Sequence, residues 1–387
     1  MSASENSGLK IDLTADLAAA KDGYEPDILG PGFVARTLEL QDDDEGPVVA
    51  TLVRYDPKAD PEAIEPDGPV PTFNLLYVHG WNDYFFQKEL ARNCATMGAR
   101  FYAIDLRKYG RSLREGQTFG YVDTLDTYDE DLHAAINAIQ AGDLAEVGRV
   151  RPLVLMGHST GGLTAALWAD RHPGSLAGLI LNSPWLELQT AASMRGVSQP
   201  FVERLAARSP FRELPLGGGP NFYGMSLAGW QESDGPLPPE LEAWPDDPAN
   251  TGWNTNPEWK KPGGAPTRAG WFNAILTGHA KVAAGLDIHC PVFVGISIES
   301  ASGSEWHPIM RRQDTVLDVS VIALRALNLS RSVTLNRYDG KHDLALSDPD
   351  VRPEYYADLH HWLGAFVRAE DGSRLATPGR KEYPLCP

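Results

Sequence analysis

The sequence predicts an α/β protein: a mostly parallel, doubly wound sheet with N-terminal antiparallel strands and an inserted cap. Three observations predict it. Apolar runs of strand length alternate with helical segments from Phe73 to Pro184, the order that builds parallel strands joined by crossover helices. Two alternating segments around an acidic turn precede that region. The alternation stops at Trp185 and resumes near Pro291.

Each element follows from local pattern. Residues 33–41 and 47–55 flank the turn 42–46 and read as a hairpin, followed by a Pro-rich link over 56–71. Residues 73–80 ("FNLLYVHG") form a buried strand, 84–97 a helix and 100–107 a second strand. Residues 127–141 carry Leu132, Ile136 and Ile139 on one helical face. Residues 153–156 are a third strand, 160–171 a helix and 176–184 a fourth strand. Later, 291–298 and 332–340 read as strands, and 316–329 and 353–368 as helices. Right-handed crossovers put the carboxyl ends of the parallel strands along one edge, where ligands bind in such sheets. The region between holds six of the ten tryptophans, with the loop-rich stretches "LPLGGGPNFYG", "GPLPPE" and "KKPGGAP". It reads as an insertion above the sheet edge. The expected organisation is core over 1–184, cap over 185–285 and core again over 286–387.

Composition narrows the function. The chain has 387 residues, 42% hydrophobic and 22% charged, with a formal net charge of −18. A surface this acidic repels phosphate backbones and anionic membranes, so no nucleic-acid partner is expected. Cys94, Cys290 and Cys386 are far apart and form no CxxC pair, as in a reducing compartment. The start, "MSASENSGLKIDL", lacks a basic segment followed by an apolar one. No run approaches the roughly 18 apolar residues of a membrane span. A cytoplasmic protein is expected, and a homodimer is left open.

The chemistry concentrates in "LVLMGHSTGGLTAALWADRHP". A serine between an apolar strand and a helix, with glycines on both flanks, occupies a sharp turn that projects Ser159 from the sheet edge. The following helix points its N-terminus at the serine, favouring developing negative charge. Without those neighbours, a GxSxG would be no more than a glycine-rich turn. A nucleophilic serine needs a base. His342, in "YDGKHDLALS", follows the last strand, from which a loop can bend back over Ser159. His79 sits at an earlier strand end, His172 at a helix end, and His360 and His361 in the closing helix. The base in turn needs a carboxylate. In the order serine, acid, histidine, it should follow strand 291–298. Asp314 is preferred, and Glu299 and Asp318 stay open. Two N–H donors must face the oxyanion, those of Thr160 at the helix start and Trp81 after strand 73–80. Gly80, His158 and Trp185 are candidate substrate contacts, although strand alternation turns the His158 side chain away from Ser159.

In order, "LLYVHGWNDYFF", "AIDLRKYGRS", "LMGHSTGG" and "YDGKHDL" resemble the α/β-hydrolase superfamily. The similarity is to its monoacylglycerol lipase and lysophospholipase branch, often called serine aminopeptidase-like. It spans residues 73–184 and 291–366 and implies the α/β-hydrolase fold. It also implies Ser159 as nucleophile, His342 as base, and Trp81 and Thr160 as oxyanion donors. The branch carries its acid in a D-x-V-V-D-P pattern, which "DTVLDV" resembles, so the resemblance implies Asp314. The stretch 297–313 before that acid is longer than usual, and 185–285 does not match closely. Ser159 stands where haloalkane dehalogenases and epoxide hydrolases carry Asp, and HGWND where proline-releasing peptidases carry HGGPG. The implied activity is hydrolysis of a carboxylic ester or lactone through an acyl-enzyme, with no metal or organic cofactor. Alternatives are a thioesterase or amidase with the same triad, a lyase, or a non-catalytic ligand-binding protein. The aromatic insertion suggests a small apolar substrate.

Overall fold

In the computed structural model, residues 23–188, 192–216, 220–301 and 303–367 are described; Cys386, the N-terminal segment 1–22 and the end of the expected closing helix lie outside them. Among the described residues, nine strands form one sheet in the order β1-β2-β3-β5-β4-β6-β7-β8-β9. The hairpin β2 (Phe33–Glu39) and β3 (Val49–Tyr55) pairs antiparallel with Phe33 opposite Tyr55 and Glu39 opposite Val49. A two-residue strand, β1 (Glu25–Pro26), pairs with β2 and was too short to show in the sequence pattern. β3 joins β5 (Ala99–Asp105) antiparallel. From there β4 (Phe73–Val78), β6 (Leu153–His158), β7 (Gly178–Asn182), β8 (Val292–Ser297) and β9 (Val333–Tyr338) continue the sheet in parallel.

Strand alternation divides the core into two layers. Leu76, Val78, Ile104 and Leu155 face one side, where they meet α2 (Tyr128–Val147), α3 (Thr160–Arg171), α8 (Ala269–Ala284) and α9 (Val319–Ala326). Leu75, Tyr77, Phe101, Val154 and Met156 face the other, against α1 (Lys88–Thr96) and α10 (Arg352–Phe366). A sheet apolar on both faces needs both layers of helices.

Several boundaries differ from the pattern, each for a local reason. The first helix begins at Lys88, not at 84. The Phe85 N–H is taken by Asp105 Oδ1 at 2.9 Å and the Phe86 N–H by Gln87 Oε1 at 3.0 Å. These side chains compete with helical bonding and keep 84–87 outside the helix. Helix α9 likewise begins at Val319, capped by Asp318, because Asp314 Oδ1 takes the N–H groups of Val316 and Leu317. Helix α2 continues to Val147 and stops at Gly148, whose φ of 68° suits a left-handed C-cap.

The loop-rich reading of the insertion missed its helices. Between β7 and β8 lie α4 (Ala192–Arg208), α5 (Phe222–Leu227), α6 (Pro239–Glu242), α7 (Pro248–Thr251) and α8. Helix α8 is built into the main core. A Cβ at Gly278 would lie 3.0 to 3.3 Å from side-chain carbons of Leu125, Leu167 and Leu163, so glycine allows the close helix contact.

Leu155, fully buried in β6, supports the strand that carries Ser159. Leu155→Ala is expected to lower unfolding free energy by about 2–5 kcal/mol, read from urea denaturation. A loss under about 0.5 kcal/mol, the range of ordinary surface substitutions, would show that β6 does not depend on this packing.

Candidate active site

Ser159 stands between β6 and α3 with φ 54° and ψ −118°. This left-handed geometry is unfavourable for a residue with a side chain, so the surroundings must impose it. The Ser159 N–H donates to Asn182 O at 3.0 Å. The Ser159 carbonyl accepts from the N–H groups of Gly162, Leu163 and Trp185 at 3.0, 3.2 and 2.9 Å. Helix α3 starts hard against the end of β4: a Cβ at Gly161 would overlap the carbonyl oxygens of Val78 and His79. At Gly157 it would lie 2.5 Å from Gly161 O. Any side chain at either position would push strand and helix apart.

His342 and Asp314 come together. His342 Nδ1 lies 2.8 Å from Asp314 Oδ2, and the side chains are 2% and 0% exposed. Asp314 Oδ1 accepts from Val316 N and Leu317 N at 2.8 and 2.7 Å. One carboxylate oxygen is therefore anchored to backbone and the other is aimed at the imidazole. Accepting at Oδ2 places the His342 proton on Nδ1 and leaves Nε2 as a proton acceptor. The His342 ring lies 4.8 Å, centroid to centroid, from that of His158, the residue preceding Ser159. The imidazole thus reaches the elbow. The other two acids are engaged elsewhere: Glu299 accepts from Gln313 Nε2 at 3.0 Å, and Asp318 caps α9.

A buried polar chain holds the loop bearing His342. Asp343 Oδ1 accepts from Asn182 Nδ2 at 2.7 Å and Asp343 Oδ2 from Gln87 Nε2 at 3.1 Å. Gln87 Nε2 also donates to the Tyr77 hydroxyl at 3.1 Å, and the Leu344 N–H to Asn182 Oδ1 at 3.2 Å. Sequence reasoning missed these residues. The available signal was a polar Asn182 ending the apolar run "LILN", because a buried polar group needs partners.

Around Ser159, a Cβ at Gly80 would lie 3.1 Å from Ser159 Cβ, so the chain after β4 closes on the serine. Among the described residues, neither the Trp81 nor the Thr160 N–H donates to a backbone carbonyl. The Trp81 ring packs 3.8 Å from Trp271, and Trp185 lies 6.3 Å from the same ring. Trp81 and Trp185 are partly exposed next to the elbow, and Trp271 is buried in the core beneath them. Tyr223, from α5, sets its ring edge-on to His342 at 5.4 Å, a contact the sequence did not signal. His158 is buried, with Nδ1 3.1 Å from Asn182 O. His79 is also internal, accepting from the Leu106 N–H at 3.1 Å. Among the described residues no group of three or more His, Cys, Asp or Glu side chains could hold a metal. No helix among them is long and apolar enough to cross a membrane.

The sheet order and the strand–serine–helix turn define an α/β-hydrolase-fold protein. Residues 71–222 match the family model described as serine aminopeptidase, S33. Phospholipase YtpA of Bacillus subtilis is 30% identical over 122 residues, covering 31% of this chain and 43% of that protein. A probable lysophospholipase of Arabidopsis thaliana, BODYGUARD 1, is 27% identical over 164 residues, covering 41% and 31%. The matches thus span less than half the length of these curated relatives. A soluble variant of monoglyceride lipase from Saccharomyces cerevisiae superposes with a TM-score of 0.52 at 15% identity, covering 89% of this chain and 94% of that one. A carboxyl esterase from Bacillus coagulans gives 0.52 at 16% identity, covering 86% and 98%. The chain has the α/β-hydrolase fold and is similar to the serine aminopeptidase-like branch of that superfamily, as the motifs implied.

Burial holds the His158 imidazole below its ordinary protonation range, chiefly by desolvation. A histidine that protonates less readily when folded contributes stability above its unfolded value of about 6.5 and loses it as pH falls. His158→Asn should therefore flatten the decline in unfolding free energy between about pH 7 and pH 5. Parallel urea-denaturation series for the two proteins read this directly; identical slopes would remove His158 as a contributor.

Proposed function

We propose that the chain is a serine hydrolase that cleaves a carboxylic ester or lactone of a small apolar substrate. Ser159 is the nucleophile, His342 the base and Asp314 the acid. The observation that carries this reading is the buried His342 Nδ1–Asp314 Oδ2 pair of 2.8 Å, set beside a serine with φ 54° at a strand–helix turn. In the reaction, His342 Nε2 takes the Ser159 proton as Oγ attacks the carbonyl carbon. Asp314 stabilises the imidazolium that forms. The Trp81 and Thr160 N–H groups receive the oxyanion, and the dipole of α3 adds to them. Collapse of the tetrahedral intermediate expels the alcohol, which takes the proton from His342. Water, deprotonated by His342, then attacks the acyl-enzyme and releases the acid and Ser159.

The substrate class rests on the surroundings and on the relatives. Trp81 and Trp185, both partly exposed, offer flat apolar area beside the elbow. Similar proteins are described as lipases, esterases and lysophospholipases. Within the insertion, α5 covers this site, with Tyr223 against His342, whereas α8 belongs to the core.

Hydrolysis of para-nitrophenyl esters of graded acyl length tests the reading. Wild type is expected to turn over and to label with a phosphonate at Ser159. Ser159→Ala should lose activity to background, and Asp314→Asn should lose on the order of 1000-fold or more in kcat. Equal rates for wild type and Ser159→Ala would refute the hydrolase reading.

A further inference from the structure

The loop after β4 is sewn to the insertion, residue by residue. Asn82, directly after Trp81, has φ 53°. Its amide forms a reciprocal pair with one residue of the insertion: Nδ2 donates to Lys261 O at 2.9 Å and Oδ1 accepts from Lys261 N at 3.0 Å. The adjoining Asp83, 1% exposed, pairs with Lys260 Nζ at 2.9 Å. The Tyr84 hydroxyl then accepts from Asn256 N at 2.7 Å. Three consecutive loop residues thus bond to a strap at 256–261. Trp81 lies between two fixed points, Gly80 closed against Ser159 and Asn82 tied to the strap.

We propose that Asn82 is a positioning residue for the oxyanion site. Its reciprocal pair with the Lys261 backbone holds the loop so that the Trp81 N–H faces the developing charge. This inference rests on the reading of Trp81 as an oxyanion donor. The insertion then completes the site as well as covering it. An oxyanion donor acts only when held at about 2.7–3.1 Å from where the charge forms. Other pairs across the same seam leave this unchanged: the Lys260–Asp83 ion pair tethers a side chain, whereas the Asn82 amide grips the backbone next to the donor. The left-handed φ matters too. Asn tolerates that geometry while presenting an amide, and glycine tolerates it without one.

Asn82→Gly therefore removes the two hydrogen bonds and keeps the backbone geometry allowed. With a para-nitrophenyl ester, kcat should fall about 10- to 100-fold, less than the roughly 100- to 1000-fold cost of deleting a donor outright, with KM little changed. The inhibition constant of a boronic acid that forms a tetrahedral adduct on Ser159 should rise by the same factor. Binding of the matching alcohol, which forms no adduct, should stay the same. Asn82→Asp keeps the acceptor for Lys261 N and should fall between the two, and it decides the matter if Asn82→Gly does not fold. Wild-type kcat in the folded variants overturns the inference. So does an equal loss for boronic acid and alcohol, which would signal a loosened pocket. A wild type no faster than Ser159→Ala overturns the hydrolase reading, and this inference with it; an active wild type with an unaffected Asn82→Gly overturns this inference alone.

Discussion

The contact of α3 with the end of β4 is the constraint on which the rest of the site depends. Backbone meets backbone where Gly161 passes the carbonyls of Val78 and His79. That approach forces the chain through Ser159 at φ 54° and presents its side chain at the sheet edge. The same approach brings the loop after β4 to Ser159, since a Cβ at Gly80 would sit tightly, 3.1 Å from Ser159 Cβ. Backbone hydrogen bonds from Gly162, Leu163 and Trp185 to the Ser159 carbonyl absorb the strain. The turn is therefore a product of packing between elements as much as of its own residues.

His342 arrives at the elbow by a different route. His342 follows β9, at the far side of β8 from the strand β7 that neighbours Ser159. Its loop reaches back because Asp343 hydrogen-bonds to Asn182 at the end of β7 and to Gln87 ahead of α1. Asp314 is held separately, by two N–H groups of its own turn. Each partner of the pair is thus oriented by independent bonds, and the fold alone sets the 2.8 Å contact between them.

The insertion is clamped to the loops that carry this pair. Lys341, next to His342 and fully buried, donates to Ser226 O at 3.2 Å and faces Asp348 Oδ1 at 3.3 Å. Arg311, three residues before Asp314, lies between Trp230 and Trp306 and pairs with Asp234 at 2.9 Å. Both cations meet carbonyls at or just beyond the end of α5, where the helix dipole favours positive charge. Losing one partner of such a buried pair leaves an uncompensated charge, so these clamps bind the insertion and the loops into one structure.

The alternation of apolar strands and helices, the elbow with its flanking glycines and the histidine after the last strand were all legible in the sequence. They rest on local periodicity and on spacing along the chain. The two-layer core followed from the same alternation, because strands apolar on both faces must be covered on both. Which carboxylate meets His342 was less legible. Glu299, Asp314 and Asp318 all follow β8 within a short span, and only the path of the loop brings Asp314 to His342 while Asp318 turns to cap α9. The helices of the insertion were hidden by their Gly and Pro content and by α8 burying its apolar face against α3. The network of Asn182, Asp343, Gln87 and Tyr77 joins positions up to 256 apart in the chain, and so does the strap on Asn82 across 179. No local pattern encodes which distant partner a buried polar group will meet. Tertiary packing decided that, because the desolvation cost of leaving such groups unpaired selects one arrangement of the loops.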